Sequence, residues 1–290
     1  MTSPSNLWIV GTDEFATQTQ ACEGWTYFTL PKKSAIKFES EGQKILDQSR
    51  ENSFHGTSCN NQNKDAYKKF LKLIRATLEQ NGYTCNTLHS KRVKDSNYDF
   101  STRIARETIH KAIKPYANKD EIEQRAVNIS TFAPVLFNTI QALEPLGPDR
   151  KIQLKIDDHS SYADVTEPDN VLLPIYASPQ ELLRMAGNAI KKTGFPQAPS
   201  CGNNPIETMK DSRNLLIQAA DVIGNFSMAY VFIELGDNSK SRKLKAQLLE
   251  DVFGDTIEQF DFSSEITLHG HDFSLNNDDT LIFQIAARYT

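Results

Sequence analysis

Residues 214–225 read Asn-Leu-Leu-Ile-Gln-Ala-Ala-Asp-Val-Ile-Gly-Asn, an apolar segment with a carboxylate in its middle. Leu215, Leu216, Ile217, Ala219, Ala220, Val222 and Ile223 cover most faces of the helix predicted over residues 215–232, so those faces belong in a core. Asp211, Asn214, Gln218, Asp221 and Asn225 recur every three or four residues and form one stripe along it. The stripe contains no Lys, Arg or Glu. A solvent face ordinarily carries those long charged side chains, whereas short acids and amides surround a bound ion or an internal polar network. An unpaired carboxylate there would cost several kcal/mol or take up a proton. A divalent cation removes that penalty, and hard oxygen ligands suit Mg²⁺ or Mn²⁺. The plainer alternative is an Asp that caps a loop or pairs with an arginine such as Arg213.

The chain has 290 residues, enough for one large or two small domains. Its mean hydropathy is -0.49, and no continuous apolar run approaches the roughly 18 to 20 residues of a membrane span. The longest such run, residues 228–235, is far shorter. The N-terminal Met-Thr-Ser-Pro-Ser lacks a basic stretch followed by an apolar one, so the expectation is a cytoplasmic protein without a membrane partner. Cys22, Cys59, Cys85 and Cys201 lie far apart with no C-x-x-C pair, which points to free thiols and away from a structural zinc or redox motif.

The net charge of -5 argues against a polyanionic partner until it is divided along the chain. Residues 64–114 hold 12 Lys/Arg against 5 Asp/Glu, a net of +7, which leaves -12 for the remainder. Lys64, Lys68, Lys72 and Arg75 share one face of a helix predicted from residue 64 to Gly82, with Tyr67, Phe70, Leu71, Ile74 and Leu78 on another. Lys91 and Arg92 continue the basic stretch.

Period-two and aromatic patterns predict strands over residues 7–14 and 24–30, arranged as a hairpin, and over 83–88. Residues 151–157 alternate most cleanly, with Ile152, Leu154 and Ile156 on one side. Short terminal strands are expected at 266–269 and 281–286. Helices are expected over 31–48, with Ile36, Phe38, Ile45 and Leu46 as apolar positions, and over 101–114, 127–146, 179–191 and 240–253. The Pro, Gly and Asn content of residues 194–205 marks a loop. This order of strands and helices predicts a single α/β domain with insertions.

Acids stand at the ends of two of these strands: Asp13 and Glu14 after the first, Asp157 and Asp158 after the middle one. If the two strands are neighbours, Asp13 and Asp157 meet, and the polar helix stripe faces the same edge. Alternation puts Asp158 on the side of Ile156 and Asp157 on the opposite side. Two metals held by three or four such carboxylates could polarise a phosphodiester, activate a water and stabilise the leaving oxygen.

In these residues the chain resembles the bacterial domain of unknown function 3800 family, whose members have an RNase H-like fold. The N-terminal acidic motif is matched by Gly11-Thr-Asp-Glu-Phe-Ala16, an aromatic strand by Trp25-Thr-Tyr-Phe28, and a His-containing turn by Phe54-His55-Gly56. The late motif is matched by Asp211-Ser212, Gln218 and Ala220-Asp221. The pieces agree in order over roughly residues 6 to 230, leaving residues of about 230–290 as a C-terminal helix and strand extension of one 1–290 domain. The resemblance implies a mixed central sheet flanked by helices and an acidic metal cluster of Asp13, Asp157 or Asp158, Asp211 and Asp221, with Glu14 nearby. It also gives His55 a role as proton carrier or scissile-phosphate contact, and the basic stretch a role as a phosphate-contacting surface. The chain departs from the family pattern at Phe15-Ala16, where Ser-Gly is usual, and at Asn52-Ser53, where an acid often precedes the His turn. His269, His271 and Asp272 are expected to lie in a loop.

The function expected from these residues is a Mg²⁺- or Mn²⁺-dependent nuclease, with phage or mobile-element defence as the setting by analogy. The alternatives are a non-catalytic nucleic-acid or protein-binding module and a regulated subunit of a larger defence or toxin assembly.

Overall fold

The computed structural model describes residues 7–15, 22–90, 146, 150–157, 200–257, 266–269, 272–275 and 280–283. The first two strands, β1 (Leu7–Phe15) and β2 (Cys22–Pro31), pair antiparallel as expected. Beyond β2 the sheet continues antiparallel through β3 (Tyr83–Ser90). On its other side β1 pairs in parallel with β4 (Lys151–Asp157), and β4 pairs in parallel with β5 (Ser200–Met209). A last strand, β8 (Thr280–Phe283), joins β3 and completes the order β5-β4-β1-β2-β3-β8. The protein is thus mixed α/β, with parallel and antiparallel strands in one sheet flanked by helices.

Strand β5 corrects the loop expected over residues 194–205 from Ser200 onward, residues 194–199 lying outside the described residues. Cys201 faces Ile152 and Ile206 faces Leu154, so residues 202–205 bulge out of the ladder. Among the described residues the strand is also the sheet edge. An edge and a bulge are where Pro205 and Gly202 are tolerated, because there a missing N–H or side chain breaks no pairing.

Two helices follow the chain between β2 and β3: α1 (Lys32–Gln48) and α2 (Lys64–Asn81). Ala35, Phe38, Gly42 and Leu46 form the buried stripe of α1. Ile36, expected to be inward, is 60% exposed, because it lies beside Ala35 on a helix whose apolar face is narrow. After β5 come a 3-10 turn (Asp211–Arg213), helix α3 (Leu215–Glu234) and helix α4 (Lys240–Phe253). The expected helices over 101–114 and 179–191, and that over 127–146 save Leu146, lie outside the described residues.

Helix α3 is the centre of the arrangement and packs on β1, β2, α1 and α4. By length and composition it is long enough and apolar enough to cross a bilayer, although no continuous apolar run of that length is present in it. Gln218, Asp221 and Asn225 interrupt the continuous apolar run but barely change the average over a helix length. Of that window 83% is buried inside the protein, as in a core helix. Two glycines set its distance from the sheet. A methyl at Gly11 would lie 2.4 Å from the backbone carbonyl carbon and oxygen of Leu216, and one at Gly224 would lie 2.3 Å from Thr26 Oγ1 and 2.9 Å from Phe15 Cδ1.

The main core joins Phe28 and Leu30 of the sheet to Phe38, Tyr67, Phe70 and Phe226 of the helices, with Phe54 from the α1–α2 connection among them. Phe54 stacks on Phe70 with ring centres 4.3 Å apart and meets Tyr67 edge-on at 5.2 Å. A second cluster, Phe15, Leu88, Met228, Phe232, Ile266 and Phe273, seats a small antiparallel pair, β6 (Ile266–His269) and β7 (Asp272–Leu275), against the later turns of α3. His269 and Asp272 are therefore paired strand residues and not loop positions, while His271 lies outside the described residues.

Replacing Gly11 with Ala forces β1 and α3 apart. The expected loss is about 1 to 3 kcal/mol, the range for overpacking a filled core, read from the midpoint of urea unfolding. An unchanged midpoint would show that the helix does not rest on this residue.

Candidate functional site

In the parallel pairing of β1 with β4, Thr12 stands opposite Ile156, so the residues that follow, Asp13 and Asp157, lie side by side where that ladder ends; Asp157 closes β4, whereas β1 runs on two residues to Phe15. Thr12 and Ile156 are buried on one face of the sheet. Alternation turns Asp13 and Asp157 to the other face, the one on which α3 lies. The carboxyl ends of parallel strands are also where open α/β sheets place their ligands. Burial, the charge of Asp221 and the charge of Asp157 hold the Asp13 carboxyl well above the usual carboxylate range, against a 2.9 Å hydrogen bond donated by the Glu14 amide. Glu14 follows the opposite alternation, in register with Trp25, and its charge is the last of the causes acting on Asp13. Asp158 lies outside the described residues.

The Phe54-His55-Gly56 turn completes the cluster from above. Its three successive amides donate to side chains of three different residues: Phe54 to Gln218 Oε1 at 2.9 Å, His55 to the Tyr67 hydroxyl at 3.1 Å, and Gly56 to Asp221 Oδ2 at 2.8 Å. Tyr67 returns its own hydroxyl proton to the His55 carbonyl at 2.7 Å. A side chain at Gly56 would collide with Asn225, 2.5 Å from its Cβ, so this position admits glycine alone without displacement. The turn is thereby held from below by α3 and from behind by the aromatic core.

The polar stripe of α3 is an internal network. Asn214 caps the helix by accepting from the Leu216 and Ile217 amides at 3.0 and 3.1 Å. Gln218 accepts from Phe54 and donates to the Asp211 carbonyl at 2.9 Å, tying the His turn to the 3-10 turn. Asn225 donates to Asp221 Oδ1 at 2.6 Å. Asp221 thus caps the 54–56 loop, one of the plainer alternatives read from sequence, while Arg213 is exposed and does not pair with it. Asp211 precedes the helix and is held by its amide, which donates to Asp157 Oδ1 at 2.9 Å.

His55 stands among these acids, its Nδ1 2.9 Å from Asp211 Oδ2 and 3.7 Å from Asp221 Oδ2. The Asp221 carboxylate beside it and the charges of Asp211 and Asp157 raise the imidazole above its ordinary value, against burial. Asp13, Asp157, Asp211, Asp221 and His55 are therefore brought to one place. Among the described residues, however, no three His, Cys, Asp or Glu side chains stand together as a ready metal-ligand group. Asp157 and Asp221 each turn an oxygen onto a backbone amide, and Asp211 turns one onto His55.

The expected phosphate-contacting face of α2 is partly neutralised. Lys68 pairs with Asp251 of α4, and Arg75 forms a two-pronged bond with Asp255 at 2.7 and 2.8 Å besides pairing with Glu79. Lys64 and Lys72 are exposed, whereas Lys91 and Arg92 lie outside the described residues. Sequence reasoning missed Tyr67, Glu39, Lys155 and Lys245. Lys245, on α4, is 9% exposed, and burial lowers its pKa although Cys59 and Asp221 favour its charge. Its helical spacing from Leu249 and Val252 was the one available signal. The sequence matches no protein-family model and no curated protein.

The acids set a pH dependence in metal-free protein. Since Asp13 titrates above its ordinary 3.8 when folded, the folded chain keeps a proton that the unfolded chain has released, and stability falls as pH rises through that window. His55, raised from 6.5, contributes stability that is complete below 6.5 and fades as pH passes its folded value. In EDTA, Asp13→Asn should leave the thermal midpoint near the wild-type value at about pH 4 and raise it at about pH 7. A variant less stable than wild type at neutral pH would remove the repulsion from this account.

Proposed function

We propose that the chain is a metal-dependent nuclease of RNase H-like fold, related to the domain of unknown function 3800 family, that hydrolyses phosphodiester bonds of nucleic acid. The observation that carries this reading is the gathering of Asp13 and Asp157, side by side where the parallel β1–β4 ladder ends, with Asp211 and Asp221 around His55, so that the charges of Asp221 and Asp157 both act on the buried Asp13. A structural role alone gives no reason to gather acids so closely, since separated acids would cost less. The mixed sheet with helices packed on it agrees with the architecture that the family resemblance implies.

Asp13, Asp157, Asp211 and Asp221 present only hard oxygen donors, the set suited to Mg²⁺ or Mn²⁺, which when bound would neutralise the acids, polarise the phosphodiester and activate water. The protein's own part is positioning. Gln218 fixes the distance between the His turn and the Asp211 turn. His55, whose Nδ1 lies 2.9 Å from Asp211 Oδ2, stands among the acids where an imidazole could pass a proton to a leaving oxygen. The domain would extend over residues 1–290, and the setting that goes with the reading is cytoplasmic, in defence against phage or mobile elements.

The altered residues Phe15-Ala16 and Ser53 favour a second reading, a binding module that keeps the site without turnover. Single-stranded, duplex and hybrid substrates incubated with Mg²⁺, Mn²⁺ or EDTA separate the two. Metal-dependent cutting is expected, reduced at least about 100-fold by Asp13→Asn, Asp221→Asn or His55→Gln, the lower end of what a positioned acid or base contributes. Cutting that persists in the Asp13 and Asp221 variants would sink the assignment of those residues, and binding without cleavage under every metal would favour the module.

A further inference from the structure

A phosphodiester entering a cluster of four aspartates needs a cation on the same face, and two cations of α2 are already spent on acids of α4 and the turn after it. The sheet supplies another. Lys155 precedes Asp157 by two residues on β4, so both leave the same face with Cα atoms about 6.6 Å apart. It is the parallel neighbour of Gly11, where the first turn of α3 meets the sheet. The Lys155 side chain is 16% exposed, and its Nζ lies 3.3 Å from Glu39 Oε1. That same oxygen accepts from Asn214 Nδ2 at 3.0 Å, and Asn214 is the cap of α3. Glu207, the exposed neighbour of Lys155 on β5, forms no ion pair with it.

The Lys155–Glu39 contact is longer than the usual range of about 2.7 to 2.9 Å for a charge-assisted bond. Among the described residues Glu39 Oε1 is the one acceptor at the ammonium, which carries three donors and so has capacity for a second anion. We propose that Lys155 is the phosphate-binding cation of the acid site, donating to a non-bridging oxygen of a nucleic-acid backbone, and that Glu39 parks the ammonium when no strand is bound. The inference rests on the nuclease reading and names how that site takes its substrate. Lysine suits the task because its compact charge can swing between two acceptors without the fixed fork of an arginine.

The 290-residue wild type, Lys155→Gln, Glu39→Gln and the surface control Lys240→Gln, exposed at the start of α4, are compared for binding a labelled single-stranded and a labelled duplex oligonucleotide, across a salt series in Mn²⁺ and in EDTA. Lys155→Gln is expected to weaken binding about tenfold. It should also reduce the slope of log affinity against log salt by about 0.7 for the single strand or 0.9 for the duplex, the loss of one phosphate contact. Glu39→Gln, which releases the ammonium, should bind as well as wild type or more tightly, and Lys240→Gln should change less than Lys155→Gln. A purely structural ion pair would make the Lys155 and Glu39 variants lose stability and binding together, which overturns the proposal, and weaker binding by Glu39→Gln alone does the same if Lys155→Gln fails to fold. Unchanged affinity and slope in Lys155→Gln, beside a wild type that binds and cuts, would overturn the role of Lys155 and leave the nuclease reading intact. A wild type that binds neither oligonucleotide would overturn both, whereas binding with the expected slopes but no cutting would remove only the nuclease reading.

Discussion

The contact between β1 and α3 governs where every other part of the site falls. Strand and helix are brought close at two glycines, Gly11 against Leu216 and Gly224 against Phe15. Four residues of strand span about 13 Å and eight residues of helix about 12 Å, so the two run side by side in the same direction with matched lengths. Asp13 lies midway between the contacts on the strand, and Asp221 lies between them on the helix. Their repulsion is therefore a consequence of a close packing at two glycines, against backbone at Gly11 and against the Thr26 and Phe15 side chains at Gly224. The stability of the core, much of it aromatic and apolar, supports the charge that the site concentrates.

This arrangement explains which parts could be read from residues alone. The 7–14 and 151–157 strands were legible because each alternates or carries a short apolar run, and the acids at their ends were legible as exceptions to it. The helix over residues 215–232 announced itself by composition, and its stripe announced a polar interior, though the choice between ion and network could not be made without knowing what faced it. What faced it was the backbone of residues 54–56, a partner about 160 positions away in sequence that leaves no side-chain pattern. Strand β5 escaped for the opposite reason. Its Pro and Gly speak for a loop locally, and only a place at the sheet edge makes them acceptable.

Charge shows the same division between local and distant information. Counting residues 64–114 finds a basic segment, and helical spacing finds its face. Neither finds Asp251 and Asp255, which α4 and the turn after it bring against Lys68 and Arg75. The basic surface is therefore smaller than the count suggests, and the part of the chain that lies beyond the family resemblance is what shrinks it. Conversely Lys155, inconspicuous in an alternating strand, becomes the cation closest to Asp157 along that strand.

The 54–56 turn has one more consequence. Helices and strands fix their own backbone by repeating hydrogen bonds, so a residue gained or lost can be absorbed by a shift of register. Here each of three consecutive amides is addressed by a particular side chain, from Gln218, Tyr67 and Asp221. Such a turn behaves like a key cut to a fixed depth: its sequence could drift at exposed positions such as Thr57 and Ser58, yet its length could not change by a single residue without placing the wrong amide before each acceptor. The spacing of Phe54, His55 and Gly56 is thus a more durable mark of this site than the identity of the residues around it.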